Sequence, residues 1–176
     1  MTGVDIYWHD TYKNRLYAAG KPGPVQELIA FEGTKKIWSY PFPENYRIND
    51  IRASENWILV RSYTEIGESM KYRLDVLDSD GSPAAEILPK EEYGYLGYIG
   101  LSKDSMLYYR SSDQSMVLRK LPDGYEQNLM TFSSRLVIST EAIGSLSARP
   151  GDHPLFSYPY LIIPGHDDIH VFRIDP

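Results

Sequence analysis

Apolar positions along this chain recur at every second residue or run on unbroken for four or five, and almost nowhere recur every three to four. In YRLDVLD, Tyr72, Leu74 and Val76 fall on one side and Arg73 and Asp75 on the other. The closing IHVFRID alternates in the same way, with Ile169, Val171 and Arg173 opposed to His170, Phe172 and Ile174. A two-residue period is that of a strand with one face toward a core. Unbroken runs such as WILV from Trp57 and YLII from Tyr160 suit strands covered on both faces. No window of a dozen residues carries the 3.6-residue period, so helix is expected in a turn or two at most.

The strands come in repeating groups. Residues 15–42, 57–88 and 105–132 each read strand, polar turn, strand, turn with Gly or Asp, strand, and residues 160–176 hold a shorter copy. The turns EGTK, DSDGS and PDG stand at equivalent places before the last strand of each group. Glycine supplies positive φ there at no steric cost, and Asp bonds its own backbone. With one preceding strand added, each group becomes a unit of four. The fourth unit then has a first strand within residues 136–148 and no last strand. The segment VDIYWH, residues 4–9, is expected to pair with that incomplete unit or to open the first unit, but not to do both.

LIAFEGTKKIWSYPF (residues 28–42) and LDVLDSDGS (residues 74–82) resemble β-propeller repeats of the quinoprotein-like and YVTN-like kind, in which a strand leads through a Gly turn into a strand with Trp. Only the first unit carries that residue, Trp38, and no Trp-Asp dipeptide occurs. The resemblance implies an all-β fold, a small propeller of about four blades, over residues 1–176 as one repeat domain. A two-sheet sandwich, or a half-propeller that dimerises, is the alternative. Propellers host many unrelated functions, so the resemblance implies no activity.

Composition narrows the function by exclusion. The 176 residues are 42% hydrophobic and 24% charged, as in a globular protein, and contain no cysteine for disulfides or thiolate metal sites. No signal peptide is read at the start and no apolar run reaches a membrane span, so a cytoplasmic protein without membrane contact is expected. A net charge of -6 argues against nucleic acid, which needs clustered Lys and Arg. No cofactor motif is present: GKPGPV lacks the helix that a phosphate loop needs, and there is no GxSxG or HExxH. His166, Asp168 and His170 in HDDIH are the nearest approach to a metal site, but a polar turn accounts for them better. Asp75, Asp78 and Asp80 have partial calcium-loop spacing without the closing Glu, and a β-turn is the simpler reading.

Sorting loops by the rim of a propeller gathers Glu44, Glu65, Glu68, Glu91, Glu92, Asp113, Asp167 and Asp168 on one side, against Lys21, Arg47 and Lys90. That rim is about five charges negative, enough to steer a cationic partner. It also carries Tyr46, Tyr63, Tyr93 and Tyr95, from a chain with 15 Tyr against 5 Phe and 3 Trp. Tyrosines beside carboxylates suit a protein interface. The expectation is a non-enzymatic module that binds a basic protein through Tyr46, Tyr63, Glu65, Glu68, Glu91, Glu92, Tyr93, Tyr95 and Asp113, as a toxin-neutralising immunity protein would. A lectin-like sugar-binding module and a hydrolase with a carboxylate or metal centre are the alternatives.

Overall fold

A computed structural model describes residues 6–20, 26–67, 69–88, 96–131, 155–157, 160–164 and 169–173, and all regular structure among them is β-strand. The chain divides into two compact units, Met1–Tyr93 and Gly94–Pro176. In the first, β1 (Ile6–Tyr12), β2 (Arg15–Gly20), β3 (Glu27–Glu32) and β4 (Lys35–Pro41) form one antiparallel sheet in chain order. β5 (Arg47–Ala53), β6 (Trp57–Ile66), β7 (Ser69–Asp78) and β8 (Pro83–Ile87) form a second. In the second unit, β9 (Leu96–Leu101), β10 (Ser105–Arg110), β11 (Ser115–Lys120) and β12 (Glu126–Thr131) repeat the pattern. A three-stranded sheet of β13 (Leu155–Ser157), β14 (Tyr160–Pro164) and β15 (Ile169–Arg173) follows.

Burial grades across each complete sheet. The second strands are covered on both faces: Tyr17, Ala18 and Ala19 in β2, Ile58 through Ser62 in β6, and Ser105 through Tyr109 in β10 are all buried. The fourth strands β4, β8 and β12 are half-buried or exposed instead, except at Ile87, which is buried. The unbroken apolar runs in the sequence therefore mark the middle of each sheet, and the charged, alternating runs mark its outer edge.

Within each unit the sheets meet through their first strands, β1 against β5 and β13 against β9. In the first unit the shared core is Tyr17, Ala19, Leu28, Ala30 and Phe42 from one sheet with Ile48, Ile51, Ile58, Val60 and Leu77 from the other. Polar ties fix the register of this seam. Asp10 Oδ2 accepts from the Ala53 N–H at 2.8 Å. Buried Gln26 accepts from the Ile48 N–H through Oε1 at 2.6 Å and donates through Nε2 to the Gly20 carbonyl at 3.0 Å. Arg15 Nη1 and Trp38 Nε1 both donate to the Ser79 carbonyl in the β7–β8 turn, at 2.6 and 3.2 Å. The indole of Trp38 lies directly on Gly81 of that turn.

The three Gly turns before the fourth strands fall where the sequence puts them, with Gly33, Gly81 and Gly124 all at positive φ. Two expectations change. The strand that pairs with β14 is Leu155–Ser157, ten or so residues beyond the expected place; residues 136–148 lie outside the described residues. Its pattern, LFS, is too short to register as a periodic run. The amino-terminal segment does not complete the last sheet. From Ile6 onward it is the first strand of the first sheet, where Trp8 through Tyr12 pair with Arg15 through Ala19. The two-residue Lys13–Asn14 turn, with Lys13 at φ 55°, makes β1–β2 a local hairpin, and a hairpin closes at far lower entropic cost than a pairing across the whole chain.

Gly81 combines φ +84° with an added Cβ only 2.7 Å from Trp38 Cδ2, whereas Gly33, at φ +59°, faces open space. Gly33→Ala should cost about 1 kcal/mol of backbone strain, and Gly81→Ala about 2 kcal/mol or more because the indole must also move. Urea unfolding monitored by tryptophan fluorescence measures both. Equal losses would show that Trp38 does not seat on the turn in solution.

Candidate functional site

β6 and β7 are ten residues each, and they outrun their neighbours. Pairing with β5 begins only at Tyr63, and pairing with β8 ends at Leu74. The segments Thr64–Ile66 and Ser69–Arg73 thus project as a two-stranded ribbon that turns at Gly67, φ +61°. Ile66 is 38% exposed and Met70 47%, so the ribbon presents two large apolar side chains to solvent.

The ribbon and the start of β5 collect part of the expected site. Tyr63 stands opposite Tyr72, with ring centroids 6.1 Å apart and tilted by 42°. The Tyr72 hydroxyl lies 3.5 Å from Met70 Sδ. Glu65 is exposed and pairs with Arg47 Nη1 at 3.4 Å, itself opposite Tyr63 in register. Tyr46, half-buried just before β5, carries the Arg73 guanidinium over its ring at 5.7 Å. Tyr46, Tyr63 and Glu65, from two segments of the sequence, therefore share one end of the second sheet. Asp113 belongs to the second unit, in the β10–β11 turn, where Arg110 holds both of its oxygens at 2.6 to 3.1 Å. Arg110 was absent from the sequence-based charge balance, and it offsets this member of the acidic set. Glu68, Glu91, Glu92, Tyr93, Tyr95, His166 and Asp168 lie outside the described residues. His170 occupies the β15 position opposite Ile163.

Charged residues outside the expected site hold the strongest electrostatics. Arg73 grips Asp75 through Nε and Nη2, at 2.7 and 2.5 Å, and reaches Glu86 at 3.1 Å. Burial raises the Asp75 carboxyl above its ordinary value, with Arg73 pulling the other way. Burial, then the Asp75 charge, raises the Tyr40 hydroxyl on the facing strand. On the opposite face of β6, buried Arg61 donates to Asn49 Oδ1 at 3.1 Å and stands in register with buried Asp50, which Arg52 approaches at 3.4 Å. In the second unit the buried Tyr108 hydroxyl donates to Glu126 at 2.9 Å, while Arg119 and Arg110 hold the same carboxylate at 2.6 and 3.4 Å. Burial and Glu126 push that hydroxyl strongly upward, so it stays protonated. Arg61 in WILVRSY carries a sequence signal, a charge at the end of an unbroken apolar run, whereas Arg73 and Asp75 fall on the polar side of YRLDVLD and carry none.

These groups are largely matched by one another, as in structural ion-pair networks, although Arg119 Nε is buried without a hydrogen-bond partner. Among the described residues no cluster of His, Asp and Glu could hold a metal ion. Asp78 of DSDGS uses Oδ1 to accept the Asp80 and Ser82 N–H groups at 2.9 Å, the bonding of a turn. Among the described residues no helix is long and apolar enough to cross a membrane. Compared with family models and with curated proteins, the chain matches none.

Asp50 offers a pH test of the buried network. Burial holds its carboxyl above the ordinary value of 3.8, against the opposing pull of Arg52 and Arg61. The native state then binds this proton more tightly than the unfolded chain does. Its favourable contribution is full below 3.8 and is lost as pH rises through the higher native value. Asp50→Asn should flatten the fall in urea midpoint across that window, leaving a remainder from Asp75, which shifts the same way. Identical slopes for the variant and the parent would mean that Asp50 is solvated.

Proposed function

We propose that the chain is a non-enzymatic protein-binding module, built as a small propeller-like array, which docks a basic partner through the tyrosine-bearing end of its second sheet. The observation that carries the reading is the gathering of Tyr46, Tyr63 and Glu65 beside the projecting β6–β7 ribbon, where Ile66 and Met70 stand exposed. Tyrosine rings supply large rigid contact area at small entropic cost, and apolar tips beside them exclude water from a contact. The net charge of -6 favours a cationic partner and raises its encounter rate.

Two features support the propeller part of the reading. Each unit sets two sheets side by side through their first strands, and each complete sheet runs in chain order from a first, inner strand to a charged outer strand. Neutralisation of a basic toxin is the class of task that suits a small acidic binder of this kind. The saturation of Arg73, Asp75, Arg110 and Glu126 by each other weighs against general acid–base chemistry at those groups, which needs a free proton site in reach of substrate.

Native co-purification from the source cells, followed by mass spectrometry and surface plasmon resonance, tests the proposal. A stoichiometric basic protein is expected, with association slowed by salt. Tyr63→Ala should speed dissociation by about tenfold if the ring is a central anchor, and Glu65→Lys should mainly slow association. A glycan-array signal without a protein partner would favour the lectin-like reading. Binding that ignores salt and both substitutions would move the interface off this surface.

A further inference from the structure

Four methionines among the described residues stand in two contrasting settings. Met106 in β10 and Met116 in β11 are buried, at 0% and 5% exposure. Met70 in β7 and Met130 in β12 are 47% and 45% exposed. A thioether is oxidised where solvent and oxidant reach its sulfur, so of these four the second pair is open to that chemistry.

Met70 also belongs to the projecting ribbon. It stands opposite Glu65 in register, and Tyr72, two residues along, stands opposite Tyr63. Side chains alternate along a strand and cross-strand partners share a face, so Met70, Tyr72, Tyr63 and Glu65 project from one side of the ribbon. The Tyr63 and Tyr72 ring centroids are 6.1 Å apart, and the Tyr72 hydroxyl donates to Met70 Sδ at 3.5 Å. The sulfur therefore combines exposure with a hydrogen-bond donor already aimed at it, although a thioether is a weak acceptor.

We propose that Met70 is an oxidation site built into this face, whose sulfoxide keeps the Tyr72 hydroxyl as its donor and turns the apolar side of the ribbon polar. The oxidant is a peroxide, of which hydrogen peroxide is the simplest. A sulfur lone pair attacks one peroxide oxygen, and an S–O bond forms as the O–O bond breaks. Sulfur gives up two electrons, the peroxide takes them, and the second oxygen leaves with both protons as water. The added oxygen is one bond from Sδ, within reach of the same hydroxyl, and accepts more strongly than the thioether did. Methionine sulfoxide reductases reverse the change, so the site works as a switch. Its effect on recognition rests on the docking reading above: a hydrated tip no longer excludes water from a contact, and the oxidised ribbon holds a partner less tightly.

Met130→Leu in the full chain leaves Met70 as the one accessible methionine among the described residues. After hydrogen peroxide treatment and peptide mapping by mass spectrometry, Met70 should gain one oxygen, with Met106 and Met116 about tenfold slower or more. In protein labelled at the tyrosine ring carbons, oxidation should shift the Tyr72 resonances with circular dichroism unchanged. Sulfoxide reductases should restore them, and Met70→Leu should abolish the shift. A Met70 that oxidises no faster than Met106, or oxidation that leaves Tyr72 unmoved, overturns the proposal. Surface plasmon resonance of the reduced and oxidised chains, against the basic protein captured by co-purification, separates the two readings. An affinity loss of about tenfold on oxidation, absent in Met70→Leu, supports both. Equal binding by the two forms overturns the control of docking by Met70 and leaves the docking reading intact. Binding by neither form removes the docking reading, while the modification site stands on the mass and resonance data.

Discussion

The first unit depends on one contact, the seating of Trp38 on the β7–β8 turn. A sheet of four strands has two faces to cover, and these two sheets cover a face of each other only if they stay in register. The apolar cluster between them is non-directional and would tolerate sliding. The Trp38 indole is not so forgiving, because it requires a residue without Cβ beneath it and a carbonyl within reach of Nε1. Gly81 and Ser79 provide both, and Arg15 uses the same carbonyl from β2, two strands away from Trp38 in the sheet. Asp78 in turn holds the turn's shape by accepting two backbone N–H groups. A tight turn, an aromatic ring and a shared acceptor thus fix how one sheet meets the next.

The second constraint is the conflict between burial and charge inside the strands. Arg61, Asp50 and Asp75 are themselves buried, where an isolated charge would cost several kcal/mol. Each is matched at close range by a partner one strand away or two residues along. The arrangement moves Asp50 and Asp75 upward in pKa, because burial outweighs the pull of the neighbouring arginines. Buried charge here sets register between strands, while the projecting ribbon leaves Ile66 and Met70 exposed to solvent.

Much of this was legible in the chain. Period-two alternation and Gly or Asp turns located twelve strands of the three complete sheets, because strands and hairpins are local and each residue's side is set by its neighbours' geometry. In the sequence Tyr63 and Glu65 group as loop residues of one rim, and the structure instead places both on β6, two residues apart at one end of the sheet. Asp113 illustrates the limit: its partner Arg110 is three residues away across a turn, close enough to find, but only the turn's conformation aims one at the other.

What the sequence determined alone is the all-β class, the repeat and the placement of its turns, all properties that local sterics and side-chain alternation dictate. What the tertiary structure decided is which segments meet at long range. It assigned the first strand to its adjacent hairpin, placed the short β13 beside β14, and set Trp38 on Gly81. Such choices turn on loop-closure entropy and on the fit of one particular ring to one particular turn. Those quantities depend on distances between residues far apart in the chain, and no local pattern encodes them.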